Sequence, residues 1–156
     1  DAAGAAVRRL LETDGVAVED LGGGGATPEK VRVRAAGQVL VRLDREGVAP
    51  PVRRPNAGAR RALAAADAVL VSDYGRGVAG SPEVRAAVAA CGAPAVWDPH
   101  PRGGDPAPGM RLVTPNSAEA RLLAPDAPDD PARAERLRTR LRADAVAVTR
   151  GAEGAV

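Results

Sequence analysis

Asn116 and Glu119 stand three residues apart in the stretch LVTPNSAEAR (112–121), where an apolar run stops at Pro115 and a helical pattern opens. Leu112 and Val113 read as the end of a buried strand; Ser117, Glu119, Arg121, Leu122 and Leu123 read as the first turns of a helix. Asn116 therefore falls on a strand-to-helix turn. In open α/β sheets that edge carries the ligands, and a helix N-terminus there favours anions such as phosphate. A carboxylate one turn further on repels phosphate, so Glu119 suits a Mg²⁺ ion or a water bound to it, while Asn116 donates to a phosphate oxygen. The same spacing also describes an N-cap Asn with Glu at N3, a capping-box variant that needs no ligand.

Three further polar groups close apolar runs in the same way. They are Ser72-Asp73-Tyr74-Gly75-Arg76-Gly77, Asp98-Pro99-His100 and Thr149-Arg150-Gly151-Ala152-Glu153-Gly154. If the strands before them are parallel, these groups and Thr114-Pro115-Asn116 share one rim of a sheet. Each also has a plainer explanation. Asp73 can be a turn former, Asp98 an Asx-type residue before Pro, His100 an exposed loop residue, and Thr149 with its glycines a tight turn.

The elements that would position these groups follow from periodicity. A helical face at 1–12 ends at Asp14-Gly15, a short strand is expected at 16–18, and the glycines of 22–25 read as a linker. That run has neither the Lys-Ser/Thr of a P-loop nor the spacing of a dinucleotide fingerprint. Residues 30–44, KVRVRAAGQVLVRLD, alternate on both sides of a turn near Gly37-Gln38 and predict a β-hairpin with one apolar face. It is a flap or small second sheet, or else an edge hairpin of the main sheet. A Pro-rich connection at 46–55 leads to a helix at 56–66. Strands at 68–72, 95–97, 111–113 and 145–149 then alternate with helices at 82–91, 117–123 and 131–142. This order predicts an α/β fold with a mainly parallel sheet covered on both faces.

Composition narrows the function classes. The 156 residues suffice for one domain, and 45% hydrophobic with 27% charged residues is a globular balance. With one Trp, one Tyr and no Phe, the core must be built from Ala, Val and Leu. Lys30 is the single Lys, and the net charge of +2 comes from scattered Arg without interleaved aromatics, which argues against nucleic acid. One Cys and one His exclude an intrachain disulfide and a Cys/His zinc cluster. No apolar run reaches membrane-spanning length and no signal-peptide pattern opens the chain, so no membrane partner and a cytoplasmic location are expected. The chain opens at Asp1 inside a helical pattern and stops at Val156 as a strand would begin, which reads as an internal stretch of a longer protein.

In their order, the hairpin, LVSDYGRG (70–77), WDPHPRG (97–103), LVTPNSAEA (112–120) and AVTRGAEGAV (147–156) resemble the ribokinase-like, or PfkB, carbohydrate kinases. Within that family the likeness is to the heptose 7-phosphate kinases, including the kinase half of the bifunctional heptose kinase/adenylyltransferase. The resemblance implies a doubly wound, mainly parallel sheet with a protruding hairpin lid at about 29–44, the whole chain being part of one kinase domain. It implies ATP and Mg²⁺ as cofactors and ATP-dependent phosphorylation of a sugar or sugar phosphate, with heptose 7-phosphate as the expected substrate. Alternatives are another sugar or nucleoside kinase of the same fold, and an inactive binding or regulatory module.

The family's N-x-x-E motif, at the metal and nucleotide phosphates, falls on Asn116, Ser117, Ala118 and Glu119, and its Val-Thr-x-Gly nucleotide turn on Thr149 and Gly151. The metal is implied at Asn116 and Glu119. On the lid, Lys30, Arg32 and Arg42 are the implied contacts to an acidic sugar phosphate, and the lid implies a homodimer. His100 stands where the heptose branch usually carries Lys. The family's sugar-binding segment would precede Asp1, and the Gly-Ala-Gly-Asp motif with the base would follow Val156. No Asp of this chain matches that motif, so no catalytic residue is assigned here and the chain by itself is expected to be inactive.

Overall fold

The computed structural model describes residues 1–21, 25–45 and 52–156, and these form two units, Asp1–Arg53 and Arg54–Val156. In the first unit Asp1 caps α1 (Ala2–Thr13), accepting the Gly4 N–H at 2.8 Å, while its other carboxylate oxygen takes the Thr27 N–H at 2.7 Å. The strand expected at 16–18 does not form. The Val16 N–H closes the end of α1 on the Leu11 carbonyl at 2.9 Å, and among the described residues no strand pairs with this segment. Residues 22–24 of the expected linker and 46–51 of the Pro-rich connection lie outside the described residues.

The hairpin forms as expected from β1 (Glu29–Ala35) and β2 (Gln38–Arg45). Ala36 and Gly37 make its two-residue turn with positive φ at both positions, the backbone whose twist matches a right-handed antiparallel pair. Val31 faces Leu43 and Val33 faces Val41, whereas Arg32 faces Arg42. The register then shifts so that Arg34 opposes Val39 and Leu40 is passed over, a β-bulge that strict alternation does not foresee. Among the described residues these strands make a two-stranded sheet of their own.

In the second unit, punctuation in the sequence sets the elements. Asn56 caps α2 (Ala57–Ala64), and Ser81 followed by Pro82 opens α3 (Pro82–Ala90). Pro115 and Asn116 open α4 (Ser117–Leu123), and Asp129 caps α5 (Asp130–Leu141). Strands β3 (Val69–Ser72), β4 (Ala95–Asp98), β5 (Leu112–Val113) and β6 (Ala145–Val146) lie in that order and are all parallel. The last is shorter than the expected 145–149. Val148 pairs instead with Val156 and Thr149 bridges both Asn116 and Ala155, a long-range exchange invisible to local periodicity.

The register aligns Val71, Trp97 and Val113 on one face, where Trp97 and Val113 are fully buried. Leu70, Val96 and Leu112 share the other face, and Leu70 remains 69% exposed. Among the described residues the first of these faces is the more completely covered.

Candidate functional site

The four polar groups read from the sequence do meet at the carboxyl ends of β3 to β6, joined by main-chain bonds from strand to strand. The Asp73 N–H donates to the Asp98 carbonyl at 2.9 Å, and Thr114 N–H to the Trp97 carbonyl at 2.9 Å. The Thr149 N–H donates to the Pro115 carbonyl at 2.8 Å, and Ser117 N–H returns to the Thr149 carbonyl at 3.2 Å. Thr114 also donates its hydroxyl to Asp98 at 3.0 Å.

At Asn116 the capping box is complete. Asn116 Oδ1 accepts the N–H groups of Ala118 and Glu119, both at 2.9 Å, and Glu119 Oε2 accepts the Asn116 N–H at 2.8 Å. With the Ser117 N–H on Thr149, the first-turn donors of α4 are all used internally. Two groups stay uncommitted among the described residues: the Asn116 amide NH₂ and Glu119 Oε1.

Asn116, Ser117 and Ala118 line an open cleft of about 700 Å³ together with Thr149, Arg150, Gly151 and Glu153 of the last rim group, and with one residue not foreseen from the sequence, Asp130. Glu119, held back against Asn116, is not among the lining residues. Gly151 has φ +60°, a backbone that glycine adopts without strain, so this wall of the cleft is bare main chain. Asp130 accepts the Ser117 hydroxyl at 2.7 Å and the Arg133 guanidinium at 2.8 Å. The Ser117 hydroxyl first, and then Arg133, hold the Asp130 carboxyl below the usual carboxylate range.

At the other end of the rim Asp73 is buried; Oδ1 accepts the Gly75 N–H at 2.8 Å and Oδ2 lies against Gly103 without a hydrogen-bond partner. His100 Nδ1 accepts the Arg102 N–H at 3.1 Å, which leaves Nε2 as the protonated nitrogen of the neutral ring. On the hairpin, Arg42 is committed to Asp44, with Nε at 2.9 Å and Nη2 at 2.8 Å, while Lys30 and Arg32 form no ion pair among the described residues. No described set of three His, Cys, Asp or Glu side chains could hold a metal, and no described helix is long and apolar enough to cross a membrane.

The bifunctional protein HldE of Streptomyces coelicolor is 46% identical over 163 residues, an alignment that takes in 100% of this chain and 34% of that protein. The HldE of Citrifermentans bemidjiense is 35% identical over 168 residues, with 99% and 34% covered. The chain is a relative of the HldE proteins. It spans about a third of their length. No protein-family model matches it. Among solved structures, the tetrameric inhibited form of phosphofructokinase-2 from Escherichia coli superposes with a TM-score of 0.65 at 22% identity, covering 99% of this chain and 55% of that one. The fold is therefore ribokinase-like, here with its four parallel strands and separate hairpin.

Asp130, the cleft residue missed from the sequence, had left a trace there. The run Asp129-Asp130-Pro131 holds two acids where the cap of α5 needs one, and Asp129 supplies it, accepting Ala132 N–H at 2.9 Å. The second acid was free for another use.

Proposed function

We propose that this chain forms the nucleotide-side part of an ATP-dependent sugar kinase domain whose substrate is heptose 7-phosphate. The observation that carries the reading is the bridged pair of turns at Asn116 and Thr149. They frame one open cleft, and the Asn116 amide remains available as a donor after its oxygen has capped α4. Relationship to HldE over the whole chain supports the sugar-kinase class.

In this reading the Asn116 NH₂ donates to a phosphate oxygen, and Thr149 with the bare backbone of Gly151 lies along the nucleotide. The donor set fits Mg²⁺ only in the manner typical of nucleotide-bound magnesium. That ion keeps several waters and takes one or two carboxylates plus phosphates, and Glu119 offers one carboxylate oxygen beside Asn116. When bound, the metal supplies charge neutralisation at the phosphates. Lys30 and Arg32 are the hairpin cations that would meet a sugar phosphate, since Arg42 already serves Asp44. The sugar hydroxyl needs a proton acceptor, which no Asp here matches, so the 156 residues expressed alone transfer no phosphoryl group. The full-length protein acts in the cytoplasm as a homodimer through its hairpins.

Glu119→Gln in the full-length protein tests the site. Turnover should slow and the Mg²⁺ concentration for half-maximal rate should rise, with the fold intact by circular dichroism. An unchanged Mg²⁺ dependence would reduce Glu119 to its capping role.

A further inference from the structure

Ser117 sits in the cleft with its hydrogen already assigned. An ionised carboxylate only accepts, so in the 2.7 Å contact with Asp130 the serine must be the donor. Its backbone N–H is also spent, on the Thr149 carbonyl at 3.2 Å. Ser117 therefore has no donor left for a phosphate oxygen, and what it presents to the cleft is lone-pair density.

The carboxylate that imposes this is itself fixed. Arg133 Nη1 holds Asp130 Oδ1 at 2.8 Å, and Arg133 Nη2 is anchored on the carbonyls of Ala127 at 2.9 Å and Pro128 at 3.3 Å. The two charged side chains are only 10% and 15% exposed, so the pair is sheltered from solvent and neither rotates freely. The Arg133 charge also offsets an acid that would otherwise face an anionic ligand.

We propose that Asp130 is a positioning residue that locks the Ser117 hydroxyl as a hydrogen-bond acceptor, so that this edge of the cleft receives a donor group of the bound nucleotide. The donor is a ribose hydroxyl or a water on the nucleotide's cation; a phosphate oxygen is refused. This rests on the kinase reading above and adds a polarity to one of its contacts. The arrangement also defines a substitution that reverses it. Arg133 can only donate, so the amide oxygen of Asp130→Asn must turn to Arg133, and its NH₂ then donates to Ser117. The serine proton is forced outward, and an acceptor becomes a donor.

The test is a double-mutant cycle in the full-length protein with Ser117→Ala, Asp130→Asn and both together. ATP affinity is measured by calorimetry with Mg²⁺ and with EDTA, and again with 2′- and 3′-deoxy-ATP. Ser117→Ala should weaken Mg·ATP about three- to tenfold, the scale of one hydrogen bond. Asp130→Asn should weaken it at least as much, and should add nothing further in the Ser117→Ala background. Thermal midpoints recorded in parallel register any purely structural loss, which would persist in that background. Losses that vanish in EDTA identify a metal-bound water, and losses that vanish with a deoxy nucleotide identify the ribose; both support the proposal. Additive losses, no loss in Ser117→Ala, or tighter binding in Asp130→Asn overturn it, and Ser117→Ala alone suffices if the Asp130 variant does not fold. Failure of the unaltered protein to bind ATP overturns the kinase reading itself.

Discussion

The side-chain amide of Asn116 has two ends with separate uses. Its oxygen is consumed by the N–H groups of Ala118 and Glu119, and its NH₂ is not. Replacement can separate the two. The carboxylate introduced by Asn116→Asp would still cap α4, because Asp and Asn rank together at N-caps, so stability should stay within about 0.5 kcal/mol. ATP affinity should fall, since a carboxylate would face phosphate where a donor stood. Asn116→Ala should lose the cap as well, at about 1 kcal/mol. Urea unfolding beside ATP titration of the full-length protein distinguishes these outcomes. Equal ATP affinity in Asn116→Asp would remove the amide from the site. The three-residue spacing to Glu119 was legible in the sequence, but it fits a cap and a ligand contact equally. Only the geometry reveals that the cap takes the oxygen alone. Asp130 showed in the sequence only as a spare acid beside the cap of α5, and its tie to Ser117, thirteen positions away, did not show at all.

At the scale of elements, a two-stranded hairpin is at best marginal in water by itself, yet the apolar side chains of β1 and β2 stay exposed, Val41 by 47%. Such a patch marks an interface, and a two-fold axis would let the same face cover itself in a second copy. Val41→Asp should therefore convert a sedimenting dimer to monomers; an unaltered protein that is already monomeric would contradict the dimer. On α5, Arg142 ends the helix at φ +51°, a left-handed conformation that glycine takes without strain. Arg142→Gly should raise stability by about 0.5–1 kcal/mol, read as a shift of the urea midpoint. Elements bounded by strong local punctuation were readable. The limits of α4 follow from Pro115 and Asn116 on one side, while the early end of β6 depends on Val156, which returns to pair with Val148. The strand misread at 16–18 shows the same boundary: Val16 to Val18 has the right residues and no partner strand among the described residues.

Taken as a whole, the molecule's acid response follows from carboxylates whose ionised forms are favoured by folding. Asp130 is lowered by the Ser117 hydroxyl and Arg133, Glu83 by its own backbone N–H and Ser81, and Glu135 by Arg138. Each folded value lies below its unfolded one, so the stability they add is complete above the unfolded values and is lost as pH falls through the folded ones. Thermal midpoints should be flat from about pH 8 to 5 and decline below about pH 4, with a shallower acid limb in Asp130→Asn. A steeper limb in that variant would contradict the assignment.

The strand order β3-β4-β5-β6 has a further meaning in time. Among the described residues, β4, β5 and β6 each pair with the strand that precedes them in the chain, and none of them is inserted between two already in place. These four strands can thus be laid down during translation one after another, each of the later three finding its partner as soon as the intervening chain has left the ribosome. Of the four turns on this rim, the one at Thr149 leaves the ribosome after the other three, and it bridges back to Asn116 in a layer already laid down.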